Sequence, residues 1–459
     1  MASHLTASTV DGLRTRFHGE LVAPGDPLYD EARTIFNAMI DRRPSVVAKC
    51  AGTDDIARAI RVARDEGLEI AVRSGGHSVA GMSMTDGGIV IDLRRMNQVT
   101  VDADARVATV AGGALMRDLD RGTQPFGLAT TGGRVSTTGV AGFTLGGGNG
   151  WMDRKFGLAC DNLLSVELMT ASGDTVRASA GENPELFWAL HGGGGNFGVA
   201  TSFEFRLHPL PTTTVALLVW RPEAGPEVVG AYRDFILAAP DEVGGGVLYL
   251  TGPDEEFVPA HLAGKLTCAV LVTYAGGLAA AREAMTPMLQ LGHEGELIAE
   301  LPYADLQCML DDPPGYRNYW SAEHLGSFPD EAVDLFCAAA HEMVVPSPSQ
   351  HVLFPQGGAV SRARTDYPIP WRRAQWVVHP FGLWESPEDD QRARGWARDV
   401  RADLKPWAIG AVYLNFIGNE GRDRIVAGLG AENYQRLAAV KAEFDPENVF
   451  HLNHNIEPG

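Results

Sequence analysis

Glycine is the residue that most constrains this chain. Of its 53 glycines, 25 fall between residues 71 and 200, a stretch of 130 residues. Glycine is needed where φ must be positive or where a Cβ would collide with a closely approaching group, and clusters of it at the ends of apolar strands are typical of cofactor loops. Three runs stand out. Arg73-Ser74-Gly75-Gly76-His77-Ser78 lies between strands read at 68–72 and 89–93, Thr130 to Trp151 holds the densest set, and Gly193-Gly194-Gly195-Asn196-Phe197-Gly198 forms the third.

The last run matches the G-x-G-x-x-G dinucleotide fingerprint but sits in the wrong context. A Rossmann loop follows a strand and opens a helix, so that pyrophosphate meets the helix N-terminus. Here Asn183 and Pro184 open a helix through Leu186, Phe187 and Leu190, and the β-branched and aromatic run 199–207 after the glycines reads as a strand. The order is reversed, which rejects a Rossmann NAD site. His341-Glu342 lacks the second histidine of a zinc helix, and no phosphate loop of the G-x-x-x-x-G-K-[ST] type occurs. Gly76-His77-Ser78-Val79-Ala80 misses the nucleophile elbow by its last residue, leaving a serine hydrolase at Ser78 as a remote rival.

A chain of 459 residues predicts one large or two intimately joined domains, and 45% apolar with 21% charged residues is an ordinary globular composition. A net charge of −20 removes long-range attraction to nucleic acid or an anionic bilayer. Five cysteines, widely spaced and without a C-x-x-C pair, predict buried thiols and no metal site. No cationic start with an apolar run opens the chain, and no stretch approaches the ~20 apolar residues of a membrane span. The expectation is a cytoplasmic protein, monomer or homodimer, acting on a small molecule. From Pro209 to Lys405 prolines recur, glycine thins, and strands at 215–220, 246–250 and 267–274 alternate with helices such as 278–291, as in an antiparallel α+β domain. A strand read at 410–416 and a helix read at 434–444 follow, and the chain closes on Asp445-Pro446-Glu447-Asn448-Val449-Phe450 and Asn453-His454-Asn455-Ile456.

In this order and spacing, the three glycine runs, Tyr413-Leu414-Asn415 and the closing motifs resemble the berberine-bridge-enzyme-like branch of the vanillyl-alcohol-oxidase (PCMH-type) flavoproteins. The resemblance implies an α+β fold in which an FAD-binding domain is built from both chain ends, 1–208 and 406–459, around an inserted antiparallel-sheet substrate domain, 209–405. It places on FAD Arg73, Ser74, Gly75, Gly76, His77, Ser78 and Gly81 from the first loop. Gly133, Val135, Ser136, Thr138, Gly139, Gly142, Phe143, Gly148, Gly150 and Trp151 follow from the second, with Gly198, Val199, Tyr413, Asn415, Asn453 and Asn455 beyond. The amides of residues 74–77 are suited to a nest for the pyrophosphate.

The resemblance also implies that His77 carries the flavin covalently through its 8α carbon. Many relatives use a second, cysteinyl attachment, but that position is Val135 here, so a single bond is expected. Thr138 falls where relatives control oxygen access, and its small side chain favours oxidase behaviour. Tyr413 is the candidate base, with Asn415 on the same strand face to hold flavin or substrate. A phenol needs assistance from a neighbour or a cationic environment to accept a proton at neutral pH. Gln356 stands where some relatives have a carboxylate, and an amide cannot serve as a base. Tyr249, Tyr316, Tyr319 and Trp320 are candidate substrate walls, the last three sharing a face if 316–320 is helical. The expected substrate is an aromatic, phenolic, polyketide or alkaloid-like molecule rather than a sugar, with O2 as acceptor and H2O2 as product.

Overall fold

The computed structural model describes residue 5, residues 7–364 and residues 366–459. Three sheets organise it. The first has β1 (Glu20–Val22) antiparallel to β2 (Val46–Lys49), which pairs in parallel with β4 (Ile89–Asp92), itself parallel to β3 (Ile70–Arg73). The β2-to-β4 unit is a parallel pair buried on both faces, which explains why its strands read as unbroken apolar runs. The helix Thr53–Asp65 packs Ile56, Ala59, Ile60 and Ala63 onto it and stops at Gly67, whose φ is +64°.

The second sheet, wholly antiparallel, has the order β5 (Val99–Asp102), β6 (Val107–Ala111), β9 (Val199–Arg206), β7 (Leu163–Met169), β8 (Thr175–Ser179). Phe203, Phe205, Val166 and Leu168 of this sheet share a core with the glycine-rich helix Val140–Leu145 and with Leu437 and Val440 of the helix Ala431–Phe444. The chain's end is thereby locked to its first half. Lys441, fully buried, donates to Asp445 and to the carbonyls of Asn196 and Phe450.

The third sheet occupies the middle of the chain. Its antiparallel order is β13 (Gly295–Leu301), β10 (Thr213–Trp220), β12 (Leu266–Tyr274), β11 (Val243–Thr251), β15 (Gln350–Pro355), β16 (Trp376–Trp384), β14 (Arg317–Trp320), with Glu323–Leu325 also on β16. Its two faces separate by the two-residue period of a strand. Ala216, Leu218 and Trp220 pack under the helices Gly225–Ala238, Leu278–Leu289, Asp330–Ala340 and Asp390–Asp403. Val215, Leu217 and Val219 face the other way, in the cluster that includes Trp151, Met152, Leu248, Val352 and Phe354. That second face looks toward the glycine loops, and a cavity lies between them.

Two expected elements differ. Residues 317–320 form a strand, because their backbone completes the ladder with β16 from Arg317↔Trp384 to Trp320↔Phe381. Tyr319 and Trp320 therefore point to opposite faces, not to one. Residues 410–416 are not a strand: Leu414–Phe416 is a single 3-10 turn, and no neighbouring strand pairs with it among the described residues.

Candidate functional site

The cavity runs from the closing segment, past the third glycine run and the helix Val140–Leu145, to His77 and then to the inner face of the third sheet. One half is built from backbone. Ser74, Gly75, Gly76, His77, Ser78, Gly133, Val135, Thr138, Gly139, Gly142, Phe143, Trp151, Gly198, Tyr413, Asn415 and Asn453 all line it. The amides of Gly75, Gly76, His77 and Ser78 donate to no protein acceptor among the described residues. Gly75 and Gly139 face each other so closely that a Cβ on either would overlap the other's backbone, whereas the Cα positions of Gly142, Gly194 and Gly195 look onto open space. Ser74 Oγ and Asn453 Oδ1 are buried without partners. Unpaired amides, bare glycines and orphaned polar atoms along an elongated cleft fit a flat cofactor with a phosphate-bearing tail.

His77 stacks on Phe36 with 4.3 Å between ring centroids, and its Nε2 lies 2.9 Å from Thr137 Oγ1. Burial, with a smaller contribution from the nearby Arg73 charge, lowers its pKa to about 4, so the ring is neutral at pH 7. Tyr413 is fully enclosed. Its hydroxyl oxygen accepts from Asn415 Nδ2 at 2.9 Å and from the Gly148 amide at 3.2 Å, and the hydroxyl donates to the Phe143 carbonyl at 3.4 Å. Burial pushes the phenol above its ordinary range, opposed by the Asn415 hydrogen bond. Asn415 reaches Tyr413 through the 3-10 turn rather than along a strand face, and it also ties to the Gly142 carbonyl.

Several expected cofactor residues stand just behind the cavity. Arg73 is spent on the carbonyls of Ala32 and Thr34. Ser136 gives its amide and hydroxyl to Asp311, at 2.6 and 2.5 Å. Gly81, Gly148 and Gly150 permit close packing: a Cβ would strike Ile40, Ala159 and the Gly132 carbonyl, respectively. Val199 begins β9 and is buried, and Asn455 lies outside the lining with its Oδ1 orphaned.

The other half of the cavity is built from side chains on alternate positions of the third sheet. Gln350, Val352 and Phe354 of β15, His379 and Phe381 of β16, and Trp320 of β14 line it. Their rings form a continuous arc. Tyr413 meets Phe416 at 4.8 Å, Phe416 stacks on His379 at 4.2 Å, and His379 sits 5.6 Å from Phe381. Phe381 in turn stacks on Trp320 at 4.3 Å; Trp320 stands 6.0 Å from Phe36, which covers His77. The arc thus starts and ends at the two residues expected nearest the cofactor.

Of the four expected wall residues only Trp320 lines the cavity. Tyr249 points from β11 into the helix-side core, its hydroxyl directed at the Pro222 carbonyl, because Leu248 takes the cavity-facing position beside it. Tyr319 faces the helix Asp390–Asp403, under the guanidinium groups of Arg394 and Arg398 at 5.6 and 5.5 Å. Tyr316 packs beside the Phe36 cluster without reaching the lining. Gln356 is also absent from the lining. The chain turns away after β15 through Gly357 and Gly358, with φ of +105° and +54°, and Arg154 takes the Gln356 carbonyl while both side-chain polar atoms remain buried and unpaired. His379, Phe381, Phe416, Gln350 and Asp312 were not singled out from sequence. The alternation 350/352/354 and 379/381 was the available signal, and it does not say which face is the inner one.

Residues 44–179 match the family model described as an FAD binding domain, and residues 412–457 match that described as berberine and berberine like. The chain is 32% identical to (R)-6-hydroxynicotine oxidase of Paenarthrobacter nicotinovorans over 96% of its own length and 97% of the relative's. The crystal structure of 6-hydroxy-D-nicotine oxidase from Arthrobacter nicotinovorans superposes with a TM-score of 0.85 at 30% identity, covering 96% of this chain and 98% of that one. BBE-like 1 of Physcomitrella patens, at 21% identity, shares the fold with a TM-score of 0.87 over 98% and 99% of the two chains. These likenesses define an FAD-dependent oxidoreductase, and the glycine-lined cleft is its candidate cofactor site. This chain belongs to the berberine-like FAD-linked oxidases. Among the described residues no helix is long and apolar enough to cross a membrane, and no cluster of potential metal ligands occurs.

Proposed function

We propose that this enzyme oxidises a small aromatic metabolite, phenolic, polyketide-type or alkaloid-like, with FAD attached through His77 alone and dioxygen as the terminal acceptor, yielding peroxide. The observation that carries the substrate class is the aromatic arc from Tyr413 to Phe36. An arc of six neighbouring rings offers stacking and edge contacts to a planar ligand and few hydrogen bonds to a polyhydroxylated one. The nicotine-oxidase relatives act on an aromatic compound by name, which supports the same class here.

Bound FAD supplies a two-electron acceptor. The free amides of residues 75–78 would hold its pyrophosphate, and the neutral His77 ring, with Nε2 taken by Thr137, would leave Nδ1 available for attachment. Val135 lines the cavity with no nucleophile of its own, which supports a single bond. Thr138 lines it with a small side chain, which supports access for dioxygen. Tyr413 orients the reacting group as a neutral phenol. Burial raises it in spite of the Asn415 and Gly148 donors, no cation meets it among the described residues, and its proton is directed at the Phe143 carbonyl, which cannot take it.

Two experiments test the reading. Mass spectrometry of a tryptic digest is expected to find one flavinylated peptide, containing His77; a cysteinyl adduct or fully dissociable FAD refutes the single link. An oxygen-electrode screen of oligosaccharides beside phenolic, polyketide-type and alkaloid-like compounds is expected to show turnover of the aromatic set, and turnover confined to oligosaccharides refutes the substrate class.

A further inference from the structure

Among the described residues one carboxyl group looks into this aromatic cavity, and no cationic group meets it. Asp312 lies in the loop between the helix Tyr303–Leu306 and β14 and lines the cavity beside Leu310. Its neighbour Asp311 points away and is held by the amide and hydroxyl of Ser136, which anchors the loop to the glycine-rich half and leaves Asp312 directed inward. The one side-chain partner of Asp312 among the described residues is neutral: Gln350 Nε2 donates to Oδ1 at 3.2 Å. Gln350 stands directly opposite Phe381 in the β15–β16 register, and Phe381 stacks on Trp320. Cross-strand partners bring their Cβ atoms within about 5.5 Å, so carboxyl, amide and ring pair occupy one corner of the cavity.

An unpaired carboxylate in such a place must either keep its proton or gain a cation. The other titratable groups of the lining do not neutralise it. His77, His379 and His454 are each lowered by burial to about 4 and are neutral at pH 7. Arg134 is the lining's cation, but it is committed to the Asn149 side chain at 2.6 Å and to the Asn149 and Gly150 carbonyls, and it lies 3.8 Å over the Phe354 ring. Tyr413 is a neutral phenol turned to Phe143. Asp311, although turned toward Ser136, is close enough for its charge to repel that of Asp312.

We infer that Asp312, held by Gln350 against the Phe381–Trp320 pair, is the specificity-determining anchor for a cationic nitrogen on the aromatic substrate. The inference rests on the aromatic-oxidation reading and narrows it from aromatic compounds in general to aromatic amines. Rings on one side and a carboxylate on the other are the two elements that recognise an ammonium ion out of water.

The proposal has a signature independent of turnover. Burial and the Asp311 charge raise Asp312 to about 8, so at pH 7 the free enzyme carries the neutral acid, and an ammonium ion binds the ionised form. Binding must therefore expel a proton. With the holoenzyme under anaerobic conditions, calorimetric titration of benzylamine in buffers of different ionisation enthalpy is expected to show release of about one proton per amine bound near pH 6–7, falling to none between about pH 8 and 9 and turning to uptake above, where the free amine is itself neutral. The dissociation constant is expected to fall about tenfold for each unit that the pH rises toward 8. Benzyl alcohol should bind with no proton release, and benzoate more weakly than either. In Asp312→Asn the proton release should vanish and benzylamine should lose about 30-fold or more in affinity, with benzyl alcohol unchanged within about twofold. Gln350→Leu should weaken amine binding by a smaller factor.

Benzylamine binding without proton release, equal affinity for amine and alcohol, or unchanged amine affinity in Asp312→Asn overturns the assignment. The wild-type proton count stands even if the variant folds poorly. Aromatic alcohols that bind and turn over while amines do not would remove this inference and leave the aromatic reading intact, whereas failure of every aromatic probe removes both.

Discussion

Around His77 the cavity wall is mostly main chain, glycine after glycine with amides left free, while around Trp320 it is mostly side chain, rings and one carboxyl carried on antiparallel strands. The difference follows from what each half holds on the proposed reading. A phosphate-bearing cofactor common to a whole family is held well by backbone dipoles, which need φ freedom and space rather than particular side chains. A ligand that differs from enzyme to enzyme is selected by side chains, which can change without moving the sheet beneath them. The cofactor half should thus tolerate almost no added atoms, and the substrate half should tolerate truncation with loss of selectivity alone.

The most severe break in that contrast is Gly75→Val. Its new side chain has no room against the Gly139 backbone, and bound flavin, read from visible absorbance per polypeptide, is expected to fall below about a tenth of wild type, in line with the cost of overpacked cores. Next comes Trp320→Ala. Flavin content should be unchanged while the dissociation constant for an aromatic substrate rises about 30-fold, equivalent to about 2 kcal/mol of lost ring contact. Flavin loss in this variant would show that the two halves are not separable. Tyr413→Phe should slow flavin reduction by less than about tenfold in stopped flow; a loss of ~10²–10⁴ would reinstate the tyrosine as the general base.

The smallest effect concerns the seam between the halves. Asp120, on the helix Met116–Thr123, is fully enclosed and accepts from Gln307 at 3.3 Å; burial raises its pKa to about 8, above the ordinary carboxylate value it has when unfolded. The folded state therefore binds the extra proton, and this contribution to stability is complete below about pH 4 and lost progressively as pH rises to about 8. Asp120→Asn should flatten that part of the stability profile. Melting temperatures measured from pH 3.5 to 8 are expected to converge at the acid end and to favour the variant by a few degrees at the alkaline end.

How legible each half was from sequence tracks the same contrast. The glycine runs, the reversed order at 193–198 and the closing Asp445 and Asn453 motifs are local features, and local chemistry suffices to read them: a helix from Pro184 to Ala189, a turn, then β9 from Val199. The substrate walls were not legible in that way. Tyr316, Tyr319 and Trp320 suggested a helical face, yet pairing with β16 over Arg317–Trp320 made them a strand and sent Tyr319 and Trp320 apart. Tyr413 and Asn415 were read as neighbours on a strand and are neighbours through a 3-10 turn.

By itself, the sequence determined where backbone must come close to another group, because glycine spacing, turn residues and capping act within a few residues of each other. It also determined the alternation along β10, since the period of a strand is local. Only the tertiary structure decided which side of that alternation faces the cofactor, that Gln356 turns out of the cavity, and that Asp312 turns in. Those choices depend on ladder register and on contacts between residues far apart in the chain, such as Ser136 with Asp311 and Phe416 with His379. A one-residue change of register reverses every side chain on a strand, and no local pattern records it.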